Sequence, residues 1–140
     1  ILDEMRVLAN ERGIAERINY HGFKSLGPEL FAYYKKADIF LIASYHEGFP
    51  RTIWEAMAHS LPVVATKVGS IPDLVQDAAA LVEPRNMNQL AASIRSIIHD
   101  ANLRRDLIKR GFTLASENTL EIQGAKMIDY ITKWFHDNHE

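Results

Sequence analysis

No cysteine occurs among the 140 residues, which excludes disulfide staples and thiolate chemistry and fits a cytosolic setting. No apolar run approaches the ~20 residues that a membrane-spanning helix needs, and no signal-peptide pattern opens the chain. An excess of one charge is missing too: 16 basic and 18 acidic residues leave a net charge of −2, so a nucleic-acid partner is not expected. There is no internal repeat, low-complexity tract or linker. What remains is a chain with 47% hydrophobic residues, enough for one core in one domain or in part of a larger one. Ile1 to Met5 already reads as the inside of a helix, so residues 1–140 are expected to be a fragment whose beginning lies elsewhere.

Strand and helix patterns alternate along the chain. Leu2, Met5, Leu8 and Ala9 share one helical face, and Gly13 follows as a C-cap. Ile18 to His21 alternates as a first strand, and Gly27-Pro28 starts a short helix that runs to Lys36. Ile39 to Ile42 is a continuous apolar run, as expected of a central parallel strand covered on both faces, and Pro62 to Ala65 is another. A short helix over Asp73–Asp77 and a fourth strand over Ala80–Val82 precede three closing helices. The first of these carries a stripe of Leu90, Ile94, Ile97 and Ile98, and the second one of Leu103, Leu107, Ile108 and Phe112. The third is expected to bury Ile122, Ala125, Ile128, Ile131 and Phe135 against something, with part of the Trp134-Phe135 face exposed if what covers it lies outside these residues. Alternation of this kind implies a parallel sheet with right-handed crossovers and helices on both faces, an α/β Rossmann-like lobe. In such sheets ligands bind beyond the carboxyl ends of the strands, where residues 43–50 and 67–71 would lie.

The chain is organised around Glu47 to Ala58, EGFPRTIWEAMA. From Thr52 to Ala58 every side chain except Glu55 is apolar or small, so the helix should be largely buried and its carboxylate costly unless partnered. Gly48-Phe49-Pro50 turns into the helix N-terminus, where unpaired N–H groups and the positive end of the dipole suit an anion such as a diphosphate. Arg51 opposes that dipole, which makes more sense with an anion present. Glu47 and Glu55 are separated by seven residues and flank this position. A carboxylate suits a vicinal diol, and a nucleotide sugar carries one at each end of its diphosphate.

These residues resemble the signature of the large group 1 family of retaining glycosyltransferases with a GT-B fold. The likeness extends in order to Ala37-Asp38-Ile39-Phe40-Leu41 before the motif. After it come Leu61-Pro62-Val63-Val64-Ala65-Thr66 and Val68-Gly69-Ser70-Ile71-Pro72-Asp73. The resemblance implies the C-terminal, nucleotide-sugar-binding lobe, truncated at its N-terminal side: two central strands and the N-terminal acceptor-binding lobe would lie outside 1–140. The first strand here would then not touch the second. It implies Glu47 as the catalytic residue, set on the donor sugar near the reacting carbon. Glu55 would hold the ribose hydroxyls, and Gly48, Phe49, Arg51 and Thr52 the sugar and diphosphate through their amides. Pro50 stands where many members have glycine, so one amide contact to the sugar is missing.

The activity implied is transfer of a sugar from a nucleoside-diphosphate sugar to an acceptor hydroxyl with retention, in polysaccharide or glycoconjugate biosynthesis. No cofactor is implied, and the chemistry would be metal-independent, in agreement with the absence of Asp-x-Asp. The isolated residues are expected to be inactive. Partners would be the nucleotide-sugar donor and a carbohydrate or lipid-linked acceptor. The parent protein would be cytoplasmic, with room for peripheral association at the cytoplasmic face of the membrane.

Plainer readings stand beside these. Arg51, Glu55 and His59 could form an ion-paired surface stripe. His46 and His59 could be structural. Phe23 could be a core residue or, with Lys24, part of a base-binding loop. Arg104, Arg105, Lys109 and Arg110 read as a solvated face before a membrane patch. His136 and His139 have metal-like spacing in a polar tail. At the level of function, a non-catalytic nucleotide-binding module or a sugar-nucleotide epimerase of the same architecture are the alternatives.

Overall fold

A computed structural model describes residues 2–138. The chain forms two compact units that part between Phe31 and Ala32. The first holds α1, Leu2–Glu11, followed by a single 3-10 turn over Ala15–Arg17. Ala9 is buried, while Leu2, Met5 and Leu8 are about half exposed. Gly13 takes φ +65, the left-handed conformation that ends a helix without a Cβ penalty. The helix α2, Pro28–Lys36, begins with proline in its first turn and runs across the division between the units.

The second unit is built on a three-stranded parallel sheet in the order β1-β2-β3: Phe40–Ile42, Val63–Thr66 and Ala80–Val82. Phe40 pairs with Val63, and Val64 with Ala80. Between the strands lie α3, Arg51–Ala58, and α4, Ile71–Val75; after them come α5, Met87–His99, α6, Ala101–Ser116, and α7, Leu120–Asn138. All four residues of β2 are buried, as a strand needs when it is paired on both edges and packed on both faces. Around it Val64, Val82, Ile97 and Leu107 form the core, with Ile39, Leu90, Ile94 and Leu103 against them. Leu90, Ile94 and Ile97 of the α5 stripe and Leu103 and Leu107 of the α6 stripe meet the sheet here, while Ile98 and Phe112 are exposed.

Each closing helix starts where its sequence supplies an acceptor. Asn86 accepts from the Gln89 N–H at 3.0 Å, and Asp100 Oδ1 accepts from Asn102 and Leu103 at 2.9 and 3.0 Å. Between α3 and α6 the spacing is set by Gly111: a Cβ there would stand 3.0 Å from Met57 Cγ. No larger residue fits that crossing without moving Met57.

Three expectations are corrected. Ile18 to His21 forms no strand: Ile18 is extended, at φ −114 and ψ 121, but the segment joins no ladder, and a strand exists only through its neighbour's hydrogen bonds. The Phe40–Ile42 strand is an edge, not a central strand, and Leu41 is 44% exposed. The face of α7 that was expected to be buried is open among the described residues: Ile128, Ile131 and Phe135 are all exposed, and no residue of this helix is buried. Periodicity identifies the apolar face of a helix, not what covers it. No helix among the described residues is long and apolar enough to cross a membrane.

Candidate functional site

Two loops leave the carboxyl ends of neighbouring strands. Residues 43–50 follow β1, residues 67–70 follow β2, and the first loop leads directly into α3. They are joined at several points. Thr66, the last residue of β2 and itself buried, donates from Oγ1 to the Ser44 carbonyl at 2.7 Å. The Ser44 hydroxyl donates in turn to Glu47 Oε1 at 2.5 Å, a short charge-assisted bond that fixes the carboxylate. Ser70 Oγ donates to the Gly48 carbonyl.

Gly69 makes the closest approach of all. It holds φ +53, and a Cβ on it would lie 1.8 Å from the Glu47 carbonyl oxygen, so only glycine lets the two backbones meet. The loop carrying Glu47 is thus clasped by residues 22 positions further on.

The start of α3 is prepared differently. Its N-cap is the buried Pro50, extended at φ −76 and ψ 90, with no side-chain acceptor for the first amides. The Ile53 N–H is taken by the Pro50 carbonyl at 3.1 Å. The Arg51 and Thr52 amides open the helix with no capping side chain, and both residues are exposed. Among the described residues Arg51 makes no ion pair with Glu55.

One turn further on, Glu55 is half-buried and accepts from Tyr34 Oη at 2.9 Å through Oε2. The predicted partner for this carboxylate is therefore present, as a tyrosine. Burial, followed by the hydrogen bond and the negative charge of Glu55, pushes the Tyr34 hydroxyl up to about 12. His59 places Nδ1 2.7 Å from the Glu55 carbonyl and stacks its ring on Tyr34, with centroids 5.1 Å apart. Of the helix itself, Ile53, Ala56 and Met57 are buried and Thr52 and Ala58 exposed, so α3 is covered on one side rather than all round.

Phe49 is 61% exposed and stacks on Trp54 at 6.2 Å. The two rings, with Arg51, Glu55 and Leu120, line an open groove of about 850 Å³ beside the helix start. Arg85, beyond β3, lies over the Tyr45 ring at 5.3 Å and brings a cation to the same loop.

The structure brings Glu47, Gly48, Phe49, Arg51, Thr52 and Glu55 onto one loop and the helix it enters. Tyr34, Ser44, Thr66, Gly69 and Ser70 were not foreseen as supports. A glycine between the end of a strand and a helix was the one signal that pointed to them. Phe23 is 90% exposed, which removes its core reading. His139 lies outside the described residues, so the His136 and His139 pairing is not described. No group of three or more metal-ligating side chains gathers among the described residues.

The parallel sheet with helices around it is similar to the GT-B fold of solved glycosyltransferases and is consistent with a C-terminal lobe of that fold. The chain matches the family model of glycosyl transferases group 1 over residues 2–113, and it belongs to that family.

It is 33% identical over 112 residues to the O-antigen chain mannosyltransferase B of Escherichia coli, covering 79% of this chain and 29% of that protein. Among solved structures it is similar to the C-terminal domain of a group 1 family glycosyl transferase from Francisella tularensis, with 32% identity and TM-score 0.72. That match covers 83% of this chain and 60% of the other. It is also similar to Anabaena HepE in complex with UDP-glucose, with 25% identity and TM-score 0.80, over 92% of this chain and 36% of that one. The chain therefore spans under a third of the length of the mannosyltransferase.

Proposed function

We propose that this chain is the donor-binding part of a retaining glycosyltransferase that moves a sugar from a nucleoside-diphosphate sugar to an acceptor hydroxyl. The observation that carries the reading is the clasp at Gly69. It fixes Glu47 and the Gly48-Phe49 turn at the carboxyl edge of the sheet, directly before a helix start that no side chain caps. The UDP-glucose complex of HepE supports a nucleotide sugar as the ligand class.

In this reading Glu47 accepts hydroxyls of the donor sugar and orients it near the reacting carbon. The Gly48 and Phe49 amides reach the sugar. Arg51 and Thr52, at the positive end of α3, hold the diphosphate and stabilise the charge that develops on it as the glycosidic bond breaks. Glu55 accepts from the ribose hydroxyls. Such electrostatic help needs no nucleophile from the protein and no metal ion. The pairing of Glu47 and Glu55 across seven residues is read as the family's donor signature.

The acceptor, a carbohydrate or a lipid-linked one, would be bound by an N-terminal lobe of the parent protein, with two further strands completing the sheet. Residues 1–140 alone would be inactive. We place the parent in polysaccharide or glycoconjugate assembly in the cytoplasm, with peripheral attachment to the membrane as an option of its acceptor.

Calorimetric titration of the full-length protein with UDP, GDP, ADP and their sugar conjugates tests the reading. One nucleotide should bind in the micromolar range, and Glu55→Ala should weaken it by ~1–3 kcal/mol, the worth of a charge-assisted hydrogen bond. A folded wild type that binds none of them would overturn the proposal. Once donor and acceptor are identified, the product's anomeric coupling constant reports the stereochemistry, and inversion would overturn the retaining mechanism.

A further inference from the structure

We infer that Tyr34 is a positioning residue for the nucleotide's ribose: its hydroxyl holds the Glu55 carboxylate in the orientation that accepts from the ribose diol, and thereby sets a preference for ribonucleotides. The inference rests on the reading of Glu55 as the ribose ligand.

The contact joins two elements that are 21 residues apart in sequence, the last turn of α2 and the second turn of α3. Tyr34 is 6% exposed. Its ring lies between His59, stacked at 5.1 Å and 24°, and Phe40, tilted at 6.1 Å and 48°. His59 is tied back to the Glu55 carbonyl through Nδ1, so the ring that holds Tyr34 belongs to the helix that carries Glu55. With its pKa pushed up to about 12 by burial and by Glu55, the Tyr34 hydroxyl stays protonated at physiological pH and presents a donor to the carboxylate.

A free glutamate samples several rotamers, and fixing it costs side-chain entropy. Tyr34 meets that cost before any ligand arrives. It occupies one lone-pair position on Oε2, and a carboxylate offers about four, so acceptor capacity remains for two vicinal hydroxyls. Among the described residues no cation pairs with Glu55, and an ion pair would compete for the same lone pairs. A donor fixed by packing, acting on one oxygen only, orients the carboxylate without neutralising it. That is preorganisation of a diol acceptor.

The test compares, in the full-length protein, whichever of UDP, GDP and ADP binds the wild type tightest with its 2′,3′-dideoxy analogue. The ratio of the two dissociation constants is measured for wild type, Tyr34→Phe and Glu55→Ala. Wild type should favour the ribonucleotide at least tenfold, and Glu55→Ala should lose the preference. Tyr34→Phe keeps the ring and its stacking, and should cut the preference about 3- to 10-fold while affinity for the dideoxy analogue stays within about twofold.

Equal weakening of both ligands, or of neither, would assign Tyr34 to packing alone and overturn the inference with Glu55 still in place. A wild type with no preference, or a Glu55→Ala variant that keeps it, would overturn the reading of Glu55 and this inference together. So would the absence of any nucleotide binding. If Tyr34→Phe is poorly folded, Glu55→Asp tests the contact from the other side: it keeps the charge but draws it away from Tyr34. It too should lose preference, and a wild-type ratio there would overturn the inference.

Discussion

Replacing Gly69 by alanine should damage the site through contact with a residue that is remote in sequence. The new Cβ would stand 1.8 Å from the Glu47 carbonyl oxygen, more than an ångström inside the closest approach that real Cβ atoms make. The atom it meets is backbone, so no rotamer change relieves the overlap. Alanine in the left-handed region adds ~1–2 kcal/mol, since φ is +53. If the two loops separate to make room, the Ser70 bond to the Gly48 carbonyl is lost, a further ~0.5–1.5 kcal/mol. The total is ~1.5–3.5 kcal/mol, or a fall in thermal midpoint of about 10 °C for a unit of this size.

Thermal unfolding and nucleotide titration should be measured on the same preparation, because the cost can appear in either. A loop that stays in place shows the cost in the midpoint alone, whereas a loop that swings away trades part of the overlap for the lost Ser70 bond and also loses nucleotide affinity. Gly124→Ala is the control: its Cβ meets nothing within 4 Å, and as a helical position it should gain ~0.5–1 kcal/mol. A Gly69→Ala variant with both the wild-type midpoint and the wild-type affinity would refute the argument that this glycine is required by a backbone contact.

Two further outcomes are expected. One of the five tyrosines should titrate near 12 in an ultraviolet absorbance titration, and Tyr34→Phe should remove that phase. Because the folded value lies above the ordinary 10, Tyr34 keeps its proton longer in the folded state. Its contribution to stability is complete below pH 10 and is lost as pH rises through about 12, so denaturant midpoints should fall over that interval in wild type more than in the variant. Asp100→Ala should cost ~0.5–2 kcal/mol in urea unfolding, because one carboxylate oxygen caps two amides of α6; no loss would show that water replaces it fully.

What could be read from the chain divides along the range of the forces involved. The Pro62–Ala65 run announced a buried strand because every residue in it is apolar or small, and β2 is buried throughout. Asn86 and Asp100 cap helices with partners only three residues away, yet neither was singled out in the sequence. The Ile39–Ile42 run looked central on the same grounds, and its strand lies at an edge of the sheet among the described residues, since apolarity does not record how many neighbours a strand has. Ile18 to His21 has a strand's alternation and no ladder, for the same reason.

The candidate site was visible as a list of residues, while its supports were not. Glu55 was expected to need a partner, but nothing in the pattern of α2 named Tyr34, 21 positions earlier. Gly69 stood within the matched Val68-to-Asp73 segment, but nothing in that segment recorded its approach to the Glu47 carbonyl.

The crossing of α3 and α6 at Gly111 bears on how short this lobe could be made. Every residue of the Glu47–Ala58 motif lies before β3 ends at Val82, so a chain cut there would retain the whole motif by name. It would lose the helix on which Met57 rests, and Met57 lies on the buried side of the helix that carries Glu55. The motif occupies twelve residues, Glu47 to Ala58, but the surface that sets its height extends to residue 111. A minimal binding fragment is therefore defined by that crossing, not by the last residue that touches the ligand.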